Sequence, residues 1–259
     1  MLLSIPTAIA DVLSLEDLAP SPRVNEVMSG LVASVVGDTK TDVQVIDKKL
    51  CAQVRQKSAD AETEMENYWA KKIITARQPT EMLHQFPYLD NYEELTRREV
   101  ALIKKSGLTL SKKSRVLVVG SGPLPLSGIE LAIQTGAIVE AVDISPRAME
   151  LGSKVNNVLG HDAAYYIASG QDVVLAAHYD AILIAALAGD SLRQKQAIVD
   201  NVLPSLKRRG RIVVRSAKGN RRLLYPAVTA ASFRGMRLLE EYHPDDYVIN
   251  SVFVYEREV

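Results

Sequence analysis

The chain has 259 residues, of which 47% are apolar and 24% are charged. This balance is typical of a globular protein and excludes intrinsic disorder and low-complexity or collagen-like chains. The 31 basic residues equal the 31 acidic ones in number. A nucleic-acid-binding domain usually carries a basic excess, so we expect no nucleic-acid partner.

Cysteine and histidine are too few and too scattered for metal chemistry. The single cysteine, Cys51, excludes an internal disulfide and a thiolate zinc cluster, and the four histidines show no i, i+4 spacing. The longest apolar run, residues 181–188, is much shorter than a membrane span, and the N-terminus lacks the basic region of a secretory signal. We therefore expect no bound metal, no membrane association and a cytoplasmic location.

Up to about residue 110, the apolar residues repeat with helical spacing. One stripe runs from Val24 to Val36; Ser21 is suited to cap the start of this helix, Pro22 to its first position and Gly37 to its end. Two further helices are predicted over residues 42–77, with a break near 58–60, and over residues 92–105. Residues 1–110 therefore read as an N-terminal helical domain.

After residue 110, short apolar runs alternate with glycine turns and helical stretches. Continuous apolar runs are typical of strands buried on both faces of a parallel sheet. We predict strands at 116–119, 138–142, 163–168, 181–186 and 211–214, helices at 126–135, 146–159 and 191–207, and an antiparallel edge strand within 247–255. The fold class is therefore α/β, with a Rossmann-like doubly wound sheet over residues 111–259.

A glycine turn follows the first predicted strand. Gly120 and Gly122 allow a tight turn and a close approach of a ligand. Asp143, at the end of the next strand, is placed to accept hydrogen bonds from ribose hydroxyls. Pro125 replaces the third glycine of a pyrophosphate-binding turn and has no N–H for a phosphate. This substitution favours S-adenosylmethionine (SAM), which has no phosphate, over a nicotinamide dinucleotide.

The predicted strand at 181–186 ends in small residues. Ala185, Ala186 and Ala188 leave room for a ligand beside the glycine turn, although they are equally compatible with a tightly packed strand end.

Three glutamates mark the second predicted helix. Glu62 and Glu66 are one turn apart on one face, and Glu64 points away from it. Such spacing most often indicates a solvated surface. Tyr92 lies 26 residues beyond Glu66, at the end of an aromatic segment around Pro87 that forms a rigid connector.

Four segments, in this order, resemble the nicotianamine synthase family, which includes bacterial enzymes of opine-metallophore synthesis. They are FPYLDNY (86–92), VGSGPLPLS (119–127), AAL (185–187) and RSAKGNRRLLYP (215–226). The resemblance covers roughly residues 60–255. It implies a SAM-binding fold and an enzyme that moves the 3-amino-3-carboxypropyl (2-aminobutanoyl) group of SAM onto an amine, releasing methylthioadenosine.

The resemblance also implies roles for individual residues. Glu66 matches the catalytic glutamate and Tyr92 the active-site tyrosine, and a small shift of register would replace Glu66 by Glu62 or Glu64. The residues expected to contact SAM are Gly120, Ser121, Gly122, Pro123, Asp143, Ala185, Ala186 and Leu187. Arg221 and Tyr225 are expected to bind the acceptor, with Arg222 or Lys218 as rivals of Arg221 for its carboxylate.

Because the chain is short and resembles the bacterial members, we expect histidine as the acceptor and a product used in opine-metallophore synthesis. A glutamate acceptor, or repeated transfer as in nicotianamine and thermonicotianamine synthesis, stays open. A homodimer is one possible assembly, a downstream opine dehydrogenase is an expected pathway partner, and the helical domain is a candidate lid.

Three other classes of function are weighed against this one. An ordinary SAM methyltransferase would share the glycine turn and Asp143 but would release S-adenosylhomocysteine. A nicotinamide oxidoreductase is disfavoured by Pro125. A non-catalytic module would bind SAM without consuming it.

Overall fold

The computed structural model describes residues 3–38, 41–175 and 178–258. The helical half contains α1 (Ile5–Ser14), α2 (Pro22–Gly37), α3 (Lys48–Thr75), α4 (Pro79–Leu83) and α5 (Leu89–Lys105). The second half contains β1 (Arg115–Val119), α6 (Leu126–Thr135), β2 (Ile138–Asp143), α7 (Pro146–Leu159), β3 (Ala164–Ile167), β4 (Tyr179–Ile184), α8 (Leu192–Val202), β5 (Leu206–Ser216), β6 (Met236–Tyr242) and β7 (Ser251–Arg257).

Capping residues set the ends of the first helices. The Ser21 side chain accepts a hydrogen bond from the Val24 N–H and Pro22 occupies the first turn of α2, as predicted. Helix α1 has the same arrangement, with Ser4 as its cap, but it was not predicted.

Helix α3 differs from its prediction at two places. The predicted start at residue 42 is wrong, because Asp42 caps a separate 3-10 turn (Val43–Val45) and Asp47 caps α3 itself. The predicted break near residues 58–60 is also wrong. This stretch has neither glycine nor proline, and Ser58 is buried against the rest of the protein, so the helix continues through it.

The sheet has the strand order β3-β2-β1-β4-β5-β7-β6. Strands β1 to β5 are parallel, and β7 and β6 are antiparallel to their neighbours. The predicted α/β class with a Rossmann-like sheet is confirmed. The predicted edge strand, β7, is instead an inner strand, because the unpredicted β6 forms the edge. Helix α8 ends at Val202, before Pro204, and not at 207.

The two halves share their hydrophobic cores. Leu95 and Ile103 of α5 belong to one cluster with strand residues Val118 and Val213. The second half of α3 packs with residues of α6 and α7. The start of α3, with buried Cys51, packs with α1, α2 and the segment after β5. These contacts place one face of α3 above the carboxyl ends of β1, β2 and β4.

No helix in residues 3–38, 41–175 and 178–258 is long and apolar enough to cross a bilayer. The same residues contain no cluster of three or more histidine, cysteine or acidic side chains that could hold a metal ion.

Candidate active site

A cavity of about 920 Å³ lies between the helical half and the carboxyl edge of the sheet. The sheet order reverses at β1 and β4, which is where ligands bind in folds of this type. The walls come from α2, α3, the start of α5, the turn after β1, the ends of β2 and β4, and the segments around residues 215, 225 and 250.

The turn after β1 forms the floor of the cavity. Val119 is in register with Val142 of β2 and Ile184 of β4, so the next residues of the three strands meet at one edge. Gly120 has a φ of 81°, and a Cβ on it would lie 2.8 Å from the Cβ of Ala188. Only glycine fits there without strain, because both the backbone angle and the space are unsuitable for a side chain.

Asp143 supports this turn with both carboxylate oxygens. Oδ2 accepts a hydrogen bond of 2.9 Å from the Gly122 N–H, and Oδ1 accepts one of 2.9 Å from the Ser145 N–H. Each oxygen retains a further lone pair for a ligand. Ser121 and Pro123 also line the cavity.

A buried lysine stabilises the segment after β4 through hydrogen bonds to its carbonyl groups. Ala185, Ala186 and Leu187 line the cavity, as does Ala188. The Lys195 ammonium donates hydrogen bonds to the carbonyls of Ala185 (3.1 Å), Ala186 (2.9 Å) and Ala188 (2.9 Å). Burial lowers the pKa of Lys195 to about 7.

Lys195 was missed by the sequence reasoning. It lies on the buried face of α8 with Ile198, Val199 and Val202. A lysine on an apolar helical stripe was the available signal, because a lysine is almost never fully buried without partners.

Glu66 on α3 reaches across to the glycine turn. A Cβ on Gly122 would lie 2.6 Å from Glu66 Oε2, so the absence of a side chain at Gly122 makes room for this carboxyl group. The Tyr92 hydroxyl donates a hydrogen bond of 2.9 Å to Glu66 Oε1. The predicted base and tyrosine are therefore brought together beside the turn.

The surroundings make Glu66 a weaker acid than usual. Burial and the nearby Glu62 carboxylate hold the pKa of Glu66 well above its ordinary value, and the hydrogen bond from Tyr92 opposes them. Burial likewise raises the pKa of Tyr92 well above its ordinary value, and the charge of Glu66 adds to this effect. A carboxyl group with a raised pKa is suited to proton transfer near neutral pH.

A second carboxyl–tyrosine pair lies one turn away on α3. The Tyr225 hydroxyl donates a hydrogen bond of 2.9 Å to Glu62 Oε2, and both side chains line the cavity. Burial raises the pKa of Glu62, and the bond from Tyr225 opposes this. Glu64 is exposed to solvent on the opposite face, as the helical spacing predicted.

Arg215 contributes a buried guanidinium to the cavity wall. It donates to both carboxylate oxygens of Glu99, at 2.7 and 3.0 Å, and to the Ser127 hydroxyl at 2.8 Å. Burial raises the pKa values of Glu62 and Glu66, and the positive charge of Arg215 opposes this rise. Arg215 was not proposed as a site residue, although a charged residue at the end of the apolar strand β5 is itself a signal.

Arg221 lies elsewhere. Its Nη2 donates a hydrogen bond of 2.8 Å to the Asp246 carbonyl, and it is not among the described residues that line the cavity. The same holds for its rivals Arg222 and Lys218. The reason is local: residues 219–223 form a 3-10 turn that directs Arg221 toward the loop before β7, whereas Tyr225 returns to the cavity.

The family model described as "Nicotianamine synthase protein" matches residues 2–259. The chain belongs to this family. Nicotianamine synthase 9 of Hordeum vulgare is 33% identical over 251 residues, 93% of this chain and 74% of that protein. A nicotianamine synthase of Solanum lycopersicum is 31% identical over 253 residues, 93% of this chain and 78% of that protein.

Two solved structures share the fold over nearly the whole chain. MtNAS in complex with MTA and tNA has a TM-score of 0.84 at 24% identity, covering 98% of this chain and 96% of that one. A glutamate-to-glutamine variant of MtNAS in complex with SAM has a TM-score of 0.83 at 23% identity, covering 98% and 97%.

The family predicted from the four segments is confirmed, and so is SAM as its co-substrate. Nicotianamine synthases are SAM-dependent 3-amino-3-carboxypropyl transferases, which sets this chain apart from the nicotinamide oxidoreductases considered from the sequence.

Proposed function

We propose that this protein transfers the 3-amino-3-carboxypropyl group of SAM onto the α-amine of an amino acid, histidine, and releases methylthioadenosine. The observation that carries the proposal is the position of Glu66. A carboxyl group with a raised pKa, bonded to Tyr92, lies directly against Gly122 in the turn that binds the nucleoside in folds of this type.

SAM lies along the carboxyl edge of the sheet in this proposal. The free lone pairs of Asp143 accept the ribose hydroxyls, and Gly120 to Pro123 contact the nucleoside through the backbone. The segment 185–187 lies next to the turn, since the Ala185 N–H donates to the Val119 carbonyl at 3.0 Å. The amino-acid arm of SAM then extends toward Glu66 and away from the sheet.

The reaction is a displacement at the arm carbon bonded to sulfur. The acceptor nitrogen forms a bond to this carbon, and the carbon–sulfur bond breaks with its electron pair going to sulfur. The sulfonium thereby becomes the neutral thioether of methylthioadenosine. All three carbons on sulfur are electrophilic, so the enzyme selects one by orientation.

Glu66 accepts the proton of the attacking amine, because an ammonium group has no lone pair with which to attack. Its raised pKa makes it a stronger base than a solvated carboxylate once it is ionised. Tyr92 holds the carboxyl group in place through its hydrogen bond to Oε1. In this scheme Glu66 contacts the reacting amine, and Tyr92 acts as a positioning residue.

Arg215 replaces Arg221 as our candidate for the acceptor carboxylate, because Arg215 lines the cavity. Three of its five N–H groups donate to Glu99 and Ser127, so two remain for a substrate. Glu99 orients the guanidinium through two bonds.

The resemblance to the bacterial members supports histidine as the acceptor. It also supports a product used for opine-metallophore synthesis, with a downstream opine dehydrogenase, in the cytoplasm. Repeated transfer is the second candidate, because the curated relatives are named nicotianamine synthases. Assembly as a homodimer stays a prediction.

The test is mass spectrometry of the products formed from SAM and a mixture of amino acids. We expect methylthioadenosine and an adduct of histidine with one added unit. S-adenosylhomocysteine would identify a methyltransferase and contradict the proposal. Adducts with two or three units would establish repeated transfer, and SAM left unconsumed with every acceptor would indicate a binding module.

A further inference from the structure

The cavity continues past Glu66 along α3. Ser58, Glu62 and Glu66 are spaced by four residues, so they share one helix face, and all three line the cavity. At 1.5 Å per residue, Glu62 lies about 6 Å and Ser58 about 12 Å from Glu66 along the axis. The cavity therefore has an extension on the side away from the glycine turn.

The second half of the chain packs against this part of α3. Tyr225 donates a hydrogen bond to Glu62, and Asn250, in the loop before β7, also lines the cavity. Leu224 and Ile249 are the neighbouring apolar residues of the lining. The extension is thus an apolar pocket with a few converging polar groups, the usual composition of a small-molecule subsite.

Two of these polar groups have no partner. Ser58 is 5% exposed and Asn250 is 6% exposed, and neither Ser58 Oγ nor Asn250 Nδ2 forms a hydrogen bond with any described residue. A buried polar group without a partner costs about 1–3 kcal/mol. Two such groups in the lining of one cavity are accounted for by a ligand that completes their hydrogen bonds.

We propose that Ser58, Glu62, Tyr225 and Asn250 form the subsite for the acceptor's side chain, and that it selects an uncharged side chain with one hydrogen-bond donor and one acceptor. A neutral imidazole and a carboxamide have this chemistry. The inference rests on the proposed transfer, with the α-amine of the acceptor at Glu66.

The donor and acceptor groups of the subsite match that class. The Glu62 carboxyl group has one oxygen bonded to Tyr225 and a second oxygen that can accept from a ring or amide N–H. Asn250 Nδ2 donates to the acceptor atom, and the Ser58 hydroxyl can do either. One helical turn, about 6 Å, is a distance that an amino acid spans between its α-nitrogen and the end of its side chain.

Other side chains fit less well. An aliphatic side chain would leave Ser58, Asn250 and an oxygen of Glu62 unpaired, and sites that bind a polar group reject analogues without it strongly. A carboxylate side chain would lie against the carboxyl group of Glu62.

The experiment measures kcat/KM for methylthioadenosine release with histidine, glutamine, glutamate and norvaline, for the wild type and Asn250→Leu. In the wild type, we expect histidine or glutamine to exceed norvaline and glutamate. In Asn250→Leu, the ratio of kcat/KM for the preferred acceptor to that for norvaline should fall about 10- to 100-fold. The ratio reports selectivity, which a loss of folded protein does not change.

Asn156→Leu is the matched control, because Asn156 is equally buried, at 5% exposed, but lies outside the lining of the cavity. It should leave the ratio unchanged. Ser58→Ala is the second variant in case Asn250→Leu does not fold, and it should lower the same ratio to a smaller extent.

Three results would overturn the inference. One is an unchanged ratio in both Asn250→Leu and Ser58→Ala, which would mean that the two polar groups bind only water. Another is a preference of the wild type for glutamate or norvaline. The third is a raised KM for SAM with an unchanged ratio, which would place the amino-acid arm of SAM in the extension. Methylthioadenosine would still be released in all three cases, whereas failure of the proposed function would abolish its release with every acceptor.

Discussion

The two sides of the cavity, here called the floor and the roof, present different kinds of chemical group. The floor, the turn after β1 and the segment after β4, presents backbone and small residues such as Gly120 and Ala185. The roof, one face of α3, presents carboxyl groups paired with tyrosines from distant segments. The comparison shows that the floor acts through steric fit and the roof through charged and hydrogen-bonded groups. Substitutions in the two regions should therefore have separable effects.

The largest effect is expected in the roof. Glu66→Gln removes the proposed base and should lower kcat by about 100-fold, the usual scale for a missing general base. The Kd for SAM should stay near the wild-type value because the floor is untouched. Single-turnover kinetics and calorimetric titration measure the two quantities.

Glu64→Gln is the control for this substitution, because Glu64 lies on the same helix but faces solvent. Equal turnover of Glu66→Gln and the wild type would remove Glu66 from its proposed role.

In the floor, Gly120→Ala should mainly weaken SAM binding. The added methyl group would lie 2.8 Å from the Cβ of Ala188, at a φ of 81°. We expect the Kd for SAM to rise about tenfold and the free energy of unfolding to fall by about 1–3 kcal/mol, the range for a strained residue. Gly160→Ala separates strain from crowding, since Gly160 has a φ of 75° and nothing within 4 Å of an added Cβ. A loss of SAM affinity in Gly160→Ala as large as in Gly120→Ala would argue against the steric explanation.

Two substitutions in the roof should shift the pKa of Glu66 in opposite directions. A base must be ionised, so kcat should fall as the pH drops through this pKa. Tyr92→Phe removes a hydrogen bond that lowers the pKa, so the acidic limb of the kcat profile should move to higher pH. Glu62→Gln removes a charge that raises the pKa, so the limb should move to lower pH. Shifts of the same sign in both variants would show that the limb reports another group.

The smallest effect is expected at Lys195, which supports the floor by hydrogen bonds to the segment after β4. The pKa of Lys195 is lowered to about 7 from the value of 10.5 expected in the unfolded chain. The unfolded chain therefore holds more protons between these pH values, and the free energy of unfolding should rise with pH there, by at most about 1.4 kcal/mol per pH unit. Lys195→Met should lose this pH-dependent contribution and bind SAM a few-fold more weakly, because three carbonyls lose their donor. Chemical denaturation at several pH values provides the measurement, and identical slopes for the two proteins would contradict it.

The floor was also the more predictable region, because each of its segments directly follows a strand that the sequence pattern marks. The glycine turn, Asp143 and the strand end at Ala185 each follow an apolar run, and parallel strands bring such ends to one edge. Ser21, Pro22 and Gly37 likewise fixed the limits of α2 by local hydrogen bonding and backbone preference.

The roof depends on long-range contacts that local patterns do not encode. Glu66 and Tyr92 were paired through the family resemblance, whereas the spacing of Glu62, Glu64 and Glu66 alone indicates a solvated helix face. Arg221 was predicted to bind the acceptor, but a 3-10 turn after β5 directs it away from the cavity lining, and such a turn is not encoded in a local pattern. Asn250 comes from a loop between β6 and β7, and only the tertiary packing brings it to the same cavity as Ser58.

Helix α5 has a consequence for movement during turnover. Leu95 and Ile103 share a core with the strands, and Glu99 forms a buried ion pair with Arg215 of β5. Moving the whole helical half away from the sheet would expose this core. We therefore expect α5, and the second half of α3 that packs on α6 and α7, to stay in place. The same reasoning applies to α2, whose Val24 belongs to a buried cluster with Leu224 and Ile249 of the second half. The catalytic groups would thus keep a fixed geometry during turnover.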